Sequence, residues 1–117
     1  MSEDKPVLDT ISEMTAASVD HGSLEAREHM LARLAALVAV DAPPLSYLVN
    51  VGTAYDVGLT LEDVQGVLVA VAPIVGAPKV VSAAENIGKT LDFVIDVAVA
   101  EAEAEAEAEA ELASEEA

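Results

Sequence analysis

His21 and His29 are the two side chains whose ordinary ionisation falls near neutral pH, so proton transfer at pH 7 would fall first to them. His29 lies between Glu28 and Met30 in an apolar stretch, placed either to face a pocket with Glu28 or Asn50 or to sit at a core boundary. His21 stands in Asp20-His21-Gly22, a helix-end pattern in which a cation favours the terminal carbonyls. Ser46 and Asn50 are four residues apart and share a helix face, with Tyr47 beside it and Tyr55 further along. A pocket lined by His29, Ser46 and Asn50 is the sharpest arrangement these spacings allow; satisfied polar groups at a helix interface are the alternative. Ser46 has no His-Asp pair placed to activate it as a nucleophile. Two histidines without matched spacing do not make a metal site, and no cofactor is expected. The chain has no cysteine, which excludes disulfides, thiolate catalysis and cysteine metal sites.

These residues must be carried by helices. The first is expected from about Val7 to Asp20, with Leu8, Ile11, Met14 and Val19 near one face and Gly22 after it. Ser23 is placed to cap a second, Leu24 to Val40, whose Met30, Leu31, Leu34, Leu37 and Val38 recur at helical steps and predict a central, buried helix. Asp41-Ala42-Pro43-Pro44 breaks it, and Pro44 opens a third that runs to Val57 and stops at Gly58. Thr60 and Asp63 form a capping-box pattern for a fourth, Leu61 to Ala72, which Pro73, Gly76 and Pro78 end. That helix is apolar nearly all round, with Gly66 admitting a close neighbour, and should be covered on several sides. Its β-branched run, residues 64 to 71, would also suit a buried strand, but the cap and the length favour a helix. The fifth begins at Pro78, with Gly88 as a weak point inside it.

With 117 residues the chain reads as one domain, residues 1–100, followed by a low-complexity acidic tail, 101–117. The core must be built from Ala, Val, Leu and Ile, since only 3% of residues are aromatic. Such a core is thin for its length, which favours burial between copies, so a homo-oligomer is expected. The tail alternates Glu and Ala over residues 101–111, good helix formers and poor strand formers, and a helix running on from the fifth is expected. Glutamates four residues apart repel, so this helix should fray at neutral pH and gain order in acid.

The net charge is −17. Eight glutamates of the tail leave 14 acidic against five basic residues, or −9, on residues 1–100. Nucleic acid and anionic membranes are poor partners for such a surface, because neutralising phosphates needs clustered Lys and Arg. Solubility, or tolerance of high salt, is the plainer use of the carboxylates. The apolar stretches 30–40 and 64–75 fall well short of the roughly 20 residues a membrane span needs. The start, Met1 to Pro6, lacks the basic residues and apolar run of a secretion signal, and a cytoplasmic location is expected.

Four pieces in order, Leu34-Ala35-Ala36-Leu37-Val38-Ala39, Ala42-Pro43-Pro44, Gly58-Leu59-Thr60 with Glu62-Asp63-Val64, and Ala72-Pro73-Ile74-Val75-Gly76-Ala77-Pro78, carry a resemblance over residues 8 to 97. The chain resembles the carboxymuconolactone decarboxylase family, which includes thiol hydroperoxidases similar to alkylhydroperoxidase D. The resemblance implies a five-helix all-α domain, assembly as trimers or hexamers, and a small-molecule pocket between helices and subunits.

The chemistry of that family does not carry over. The Cys-x-x-Cys pair and following His of the hydroperoxidase branch fall on Pro43, Ser46 and Asn50, so no thiolate is present to attack an O–O bond. The His of the decarboxylase branch also falls on Asn50, which cannot accept and return a proton. The glutamate usual on the preceding helix falls at Met30, with Glu28 half a turn away. The leading expectation is therefore a non-catalytic small-molecule-binding or assembly protein. A decarboxylase- or isomerase-like enzyme acting on a small lactone or oxo-carboxylate is the second, with Asn50 orienting a carbonyl, His29 or Glu28 moving the proton, and Met30, Ser46 and Tyr47 touching substrate. A purely structural acidic oligomer is the third.

Overall fold

Five helices account for the elements of the computed structural model, which describes residues 5–116. Met1 to Asp4, read above for a secretion signal, and Ala117 of the tail lie outside the described residues. The helices are α1 (Pro6–His21), α2 (Ala26–Ala39), α3 (Pro44–Asp56), α4 (Leu61–Val75) and α5 (Ala77–Glu116). No strand occurs among the described residues, and the β-branched run 64–71 is helical.

Local chemistry accounts for most of the boundaries. Pro6 and Pro44 occupy first-turn positions, where a missing N–H costs nothing. At α4 the capping box is complete: the Asp63 N–H donates to Thr60 Oγ1 at 3.1 Å, and the Thr60 N–H donates to Asp63 Oδ2 at 2.9 Å. Gly58, at φ 81°, closes α3 in a Schellman turn, with its N–H on the Tyr55 carbonyl and the Leu59 N–H on that of Ala54. The same turn closes α2 with Asp41 in the left-handed position, at φ 55°; its N–H meets the Val38 carbonyl and the Ala42 N–H meets that of Leu37. A non-glycine residue there is strained, and Asp is among the few side chains that tolerate it.

Three expectations need correction. Ser23 does not cap α2; Glu25 holds that position in extended conformation without a side-chain cap. Pro73 does not end α4, which continues to Val75 and stops at Gly76, φ 87°. A proline in the last turn forfeits a single backbone bond, and the chain turns only where a residue can take a positive φ. The third concerns coverage. No residue of α4 is buried, Val69 and Ile74 are 74% and 86% exposed, and a Cβ on Gly66 would meet nothing within 4 Å. Among the described residues, α4 is backed chiefly by α2 and α5.

Helix α2 is central as expected, packing on α3, α4 and α5, but it buries only Met30 and Val38, with Leu31, Leu34 and Leu37 half-buried. The core is small, comprising those two with Ala42, Tyr47, Ala83 and Thr90. A polar seam fastens α5 beside it. Lys79 Nζ, Ser82 Oγ, Asn86 Nδ2 and Thr90 Oγ1, at steps of three and four, donate in turn to the Ala39 carbonyl, Asp41 Oδ1, the Ala42 carbonyl and the Pro44 carbonyl. The α2–α3 turn thereby finds partners for the Ala39 and Ala42 carbonyls at the end of α2 and just past it. Helix α1 buries no residue.

Candidate functional site

Met30, Arg33, Leu34 and Leu37 lie at helical steps along one face of α2, and Tyr47, Asn50, Val51 and Ala54 do the same on α3. Between these faces, the start of α4 and the Ile87–Leu91 turn of α5 lies a cavity of about 380 Å³. Its walls are mostly aliphatic. That size and lining are those of small-molecule sites.

The polar atoms on the wall are few and mostly engaged. Thr90 Oγ1 is within hydrogen-bond distance of the Pro44 and Asn86 carbonyls, and Thr60 Oγ1 belongs to the α4 cap. Asn50 Nδ2 donates to the Ser46 carbonyl at 2.9 Å, which holds the amide so that Oδ1 faces Arg33. Arg33 Nη1 donates to that Oδ1 at 3.4 Å, and Nη2 donates to the Thr15 carbonyl of α1 at 2.9 Å. Arg33 is half-buried and is the one charged residue on the wall. Tyr47 is buried, and its hydroxyl has no hydrogen-bond partner and no exposure, so the wall it offers is its ring. Burial, with a smaller contribution from the Asp41 charge, pushes the Tyr47 phenol above its ordinary range.

The residues singled out from sequence are divided by the fold. Asn50, Tyr47 and Met30 meet at the large cavity. His29 instead lines a smaller pocket of about 120 Å³ with Val19, Leu24, Ala26, Thr53 and Met30. Its Nε2 is buried there without a hydrogen-bond partner, and its Nδ1 would stand 3.4 Å from a Cβ placed on Gly22. Helical side chains lean toward the N-terminus, which carries His29 to the α1–α2 turn. Glu28 is exposed and lines neither space. Ser46 lines neither, and contributes only its carbonyl through Asn50. His29, Ser46 and Asn50 therefore do not converge.

Arg33 was not among the expected site residues. Its signal was present: a lone charge within the Met30-Leu34-Leu37 stripe of a helix read as buried. Among the described residues, no three His, Asp or Glu side chains cluster as metal ligands would. No helix among them is long and apolar enough to cross a membrane. Comparison with protein-family models, with curated proteins and with solved structures returns no match.

Proposed function

We propose that this chain binds a small, largely apolar molecule in the cavity between α2, α3, α4 and α5 without transforming it, and that it assembles with copies of itself. The observation that carries the first part is the cavity itself: a mostly aliphatic, partly open cleft with its one charged group, Arg33, beside Asn50. A decarboxylase- or isomerase-like reaction needs a group that takes and returns a proton near neutral pH. The wall presents no carboxylate and no histidine, and of its two phenols, Tyr47 and Tyr55, the buried one at Tyr47 is pushed further from neutrality.

Assembly is supported by apolar side chains left in solvent on three helices, among them Ile11 and Met14 of α1, Val69 and Ile74 of α4, and Phe93 of α5. Kinship with the carboxymuconolactone decarboxylase family is part of the proposal, together with the trimeric or hexameric assembly it implies. The five-helix order and the capped Gly58-Thr60-Asp63 turn support it. The binding reading does not depend on it.

A neutral dye tests the site independently of charge. Nile red added to the full chain should bind with amide shifts at Leu34, Val51 and Leu91, and Ala54→Trp, which puts an indole into the cavity, should weaken it at least tenfold while the helical circular dichroism stays unchanged. Dye bound only at the exposed faces of α1 and α4, with Ala54→Trp binding as the wild type does, would refute the site.

A further inference from the structure

We infer that the ligand of this cavity is a small carboxylate with an apolar body, its carboxylate held on the open edge of Arg33. This rests on the reading of the cavity as a ligand site and adds the chemical class. The chain has 22 acidic and five basic residues, yet the single charge on the cavity wall is a cation. Chance placement in so acidic a chain would favour the opposite sign.

Arg33 also lacks the partner that a half-buried guanidinium ordinarily has. Among the described residues, Arg27 with Asp63 forms the salt bridge, at 2.6 Å, and Arg33 forms none. A guanidinium carries five N–H donors. The Asn50 amide oxygen and the Thr15 carbonyl, both neutral, take two of them. Three donors and the whole positive charge remain without a protein partner, at the edge of a mostly aliphatic cavity. Charge removed from water needs an opposite charge or it destabilises the fold, and a ligand anion would supply one.

Three features narrow the anion to a carboxylate. The guanidinium fork matches two coplanar oxygens at the spacing of a carboxylate. One cation neutralises one negative charge, whereas a phosphate monoester brings nearly two. The rest of the wall offers little to further anionic oxygens: the Thr60 and Thr90 hydroxyls are engaged, the Tyr47 hydroxyl is out of reach, and Tyr55 is a largely exposed side chain at the rim. The body of the ligand must then be apolar, because Leu34, Leu37, Val64, Ile87 and Leu91 surround it. Asn50 is a positioning residue: the Ser46 carbonyl fixes the amide, and the amide oxygen holds the guanidinium at the wall.

The test compares matched probes on the full chain at pH 7 and 0.15 M salt, by calorimetry and by amide shifts: octanoate against octan-1-ol, and 4-phenylbutyrate against 4-phenylbutan-1-ol. Each carboxylate should bind at least tenfold more tightly than its alcohol. Arg33→Gln should abolish that preference by weakening the carboxylates while leaving the alcohols unchanged, and Arg33→Lys, which keeps the charge but loses the fork, should retain part of it. Alcohols that bind as well as carboxylates would overturn the carboxylate assignment and leave the cavity standing as a ligand site. Failure of all four probes and of Nile red to shift the cavity residues would overturn both. The wild-type comparison stands without any variant, so a misfolded Arg33→Gln does not rescue the idea.

Discussion

Thr60 and Asp63 show how much two side chains can decide. The cap they form fixes where α4 begins, and hence where Leu61 and Val64 meet the cavity. Thr60→Ala should lower stability by about 1 kcal/mol, read as a shift of the urea midpoint without change in slope. The Asp63 carboxyl is held below its ordinary value of 3.8, first by the backbone N–H of Thr60 and further by the Thr60 hydroxyl and Arg27. A depressed folded-state value means the contribution is present above 3.8 and disappears as pH falls through the lower value of the folded state. Asp63→Asn should therefore be less sensitive than the wild type to acid below pH 4 when midpoints are compared; identical acid profiles would refute the link.

Tyr47 argues the opposite way. A buried hydroxyl without a partner destabilises, so Tyr47→Phe should raise the thermal midpoint, by about 1 kcal/mol of stability, and a lowered midpoint would mean the hydroxyl has found a partner. Its raised phenol makes the wild type lose stability as pH climbs from 10.0 through the higher folded-state value, a loss the Phe variant should not share. Both residues stand out in the sequence, Thr60 for the cap it forms and Tyr47 as a neighbour of Asn50 and a candidate substrate contact, with nothing to show that its hydroxyl is buried without a partner.

Among the elements, α5 has two halves with different physics. As far as Val94 it packs on the body through the seam from Lys79 to Thr90, and from Ile95 to Glu115 every residue is exposed. A helix turns roughly 100° per residue, so strict Glu/Ala alternation over 101–111 puts carboxylates on opposite sides and leaves no continuous apolar stripe. This part of α5 therefore has backbone hydrogen bonds and alanine propensity to hold it, set against glutamates stacked four residues apart. A peptide of residues 101–117 should show more helix by circular dichroism at pH 4 than at pH 8, because protonation removes the repulsion; equal signals would contradict it. Helical propensity was legible here from composition alone. The seam was not, because Lys79, Ser82, Asn86 and Thr90 look like an ordinary solvated face until the α2–α3 turn is laid against them.

For the whole molecule, area is the deciding quantity. A folded monomer of 12.0 kDa is expected to expose about 6,000 Å², and this one exposes 8391 Å². Part of the difference is the projecting end of α5, which also stretches the molecule to 63 Å and the radius of gyration to 18.2 Å, against about 13 Å for a compact domain of this length. Exposed apolar side chains on α1 and α4, among them Met14 and Ile74, also contribute, and one protomer of a standard interface needs roughly 800 Å². Light scattering behind gel filtration should give a mass that is a multiple of 12.0 kDa, and Met14→Asp with Ile74→Asp should shift it toward the monomer. A monomer for the wild type at 100 μM would refute assembly. The sequence by itself determined the helices, their order and most of their ends, because caps, prolines and positive-φ glycines act within a turn of themselves. Only the tertiary structure decided that Arg33, and not His29 or Glu28, stands at the cavity, and that α4 is left half bare. Which side chain faces a shared space depends on the rotation and lean of each helix against its neighbours, and a step of one residue swings that direction by roughly 100°.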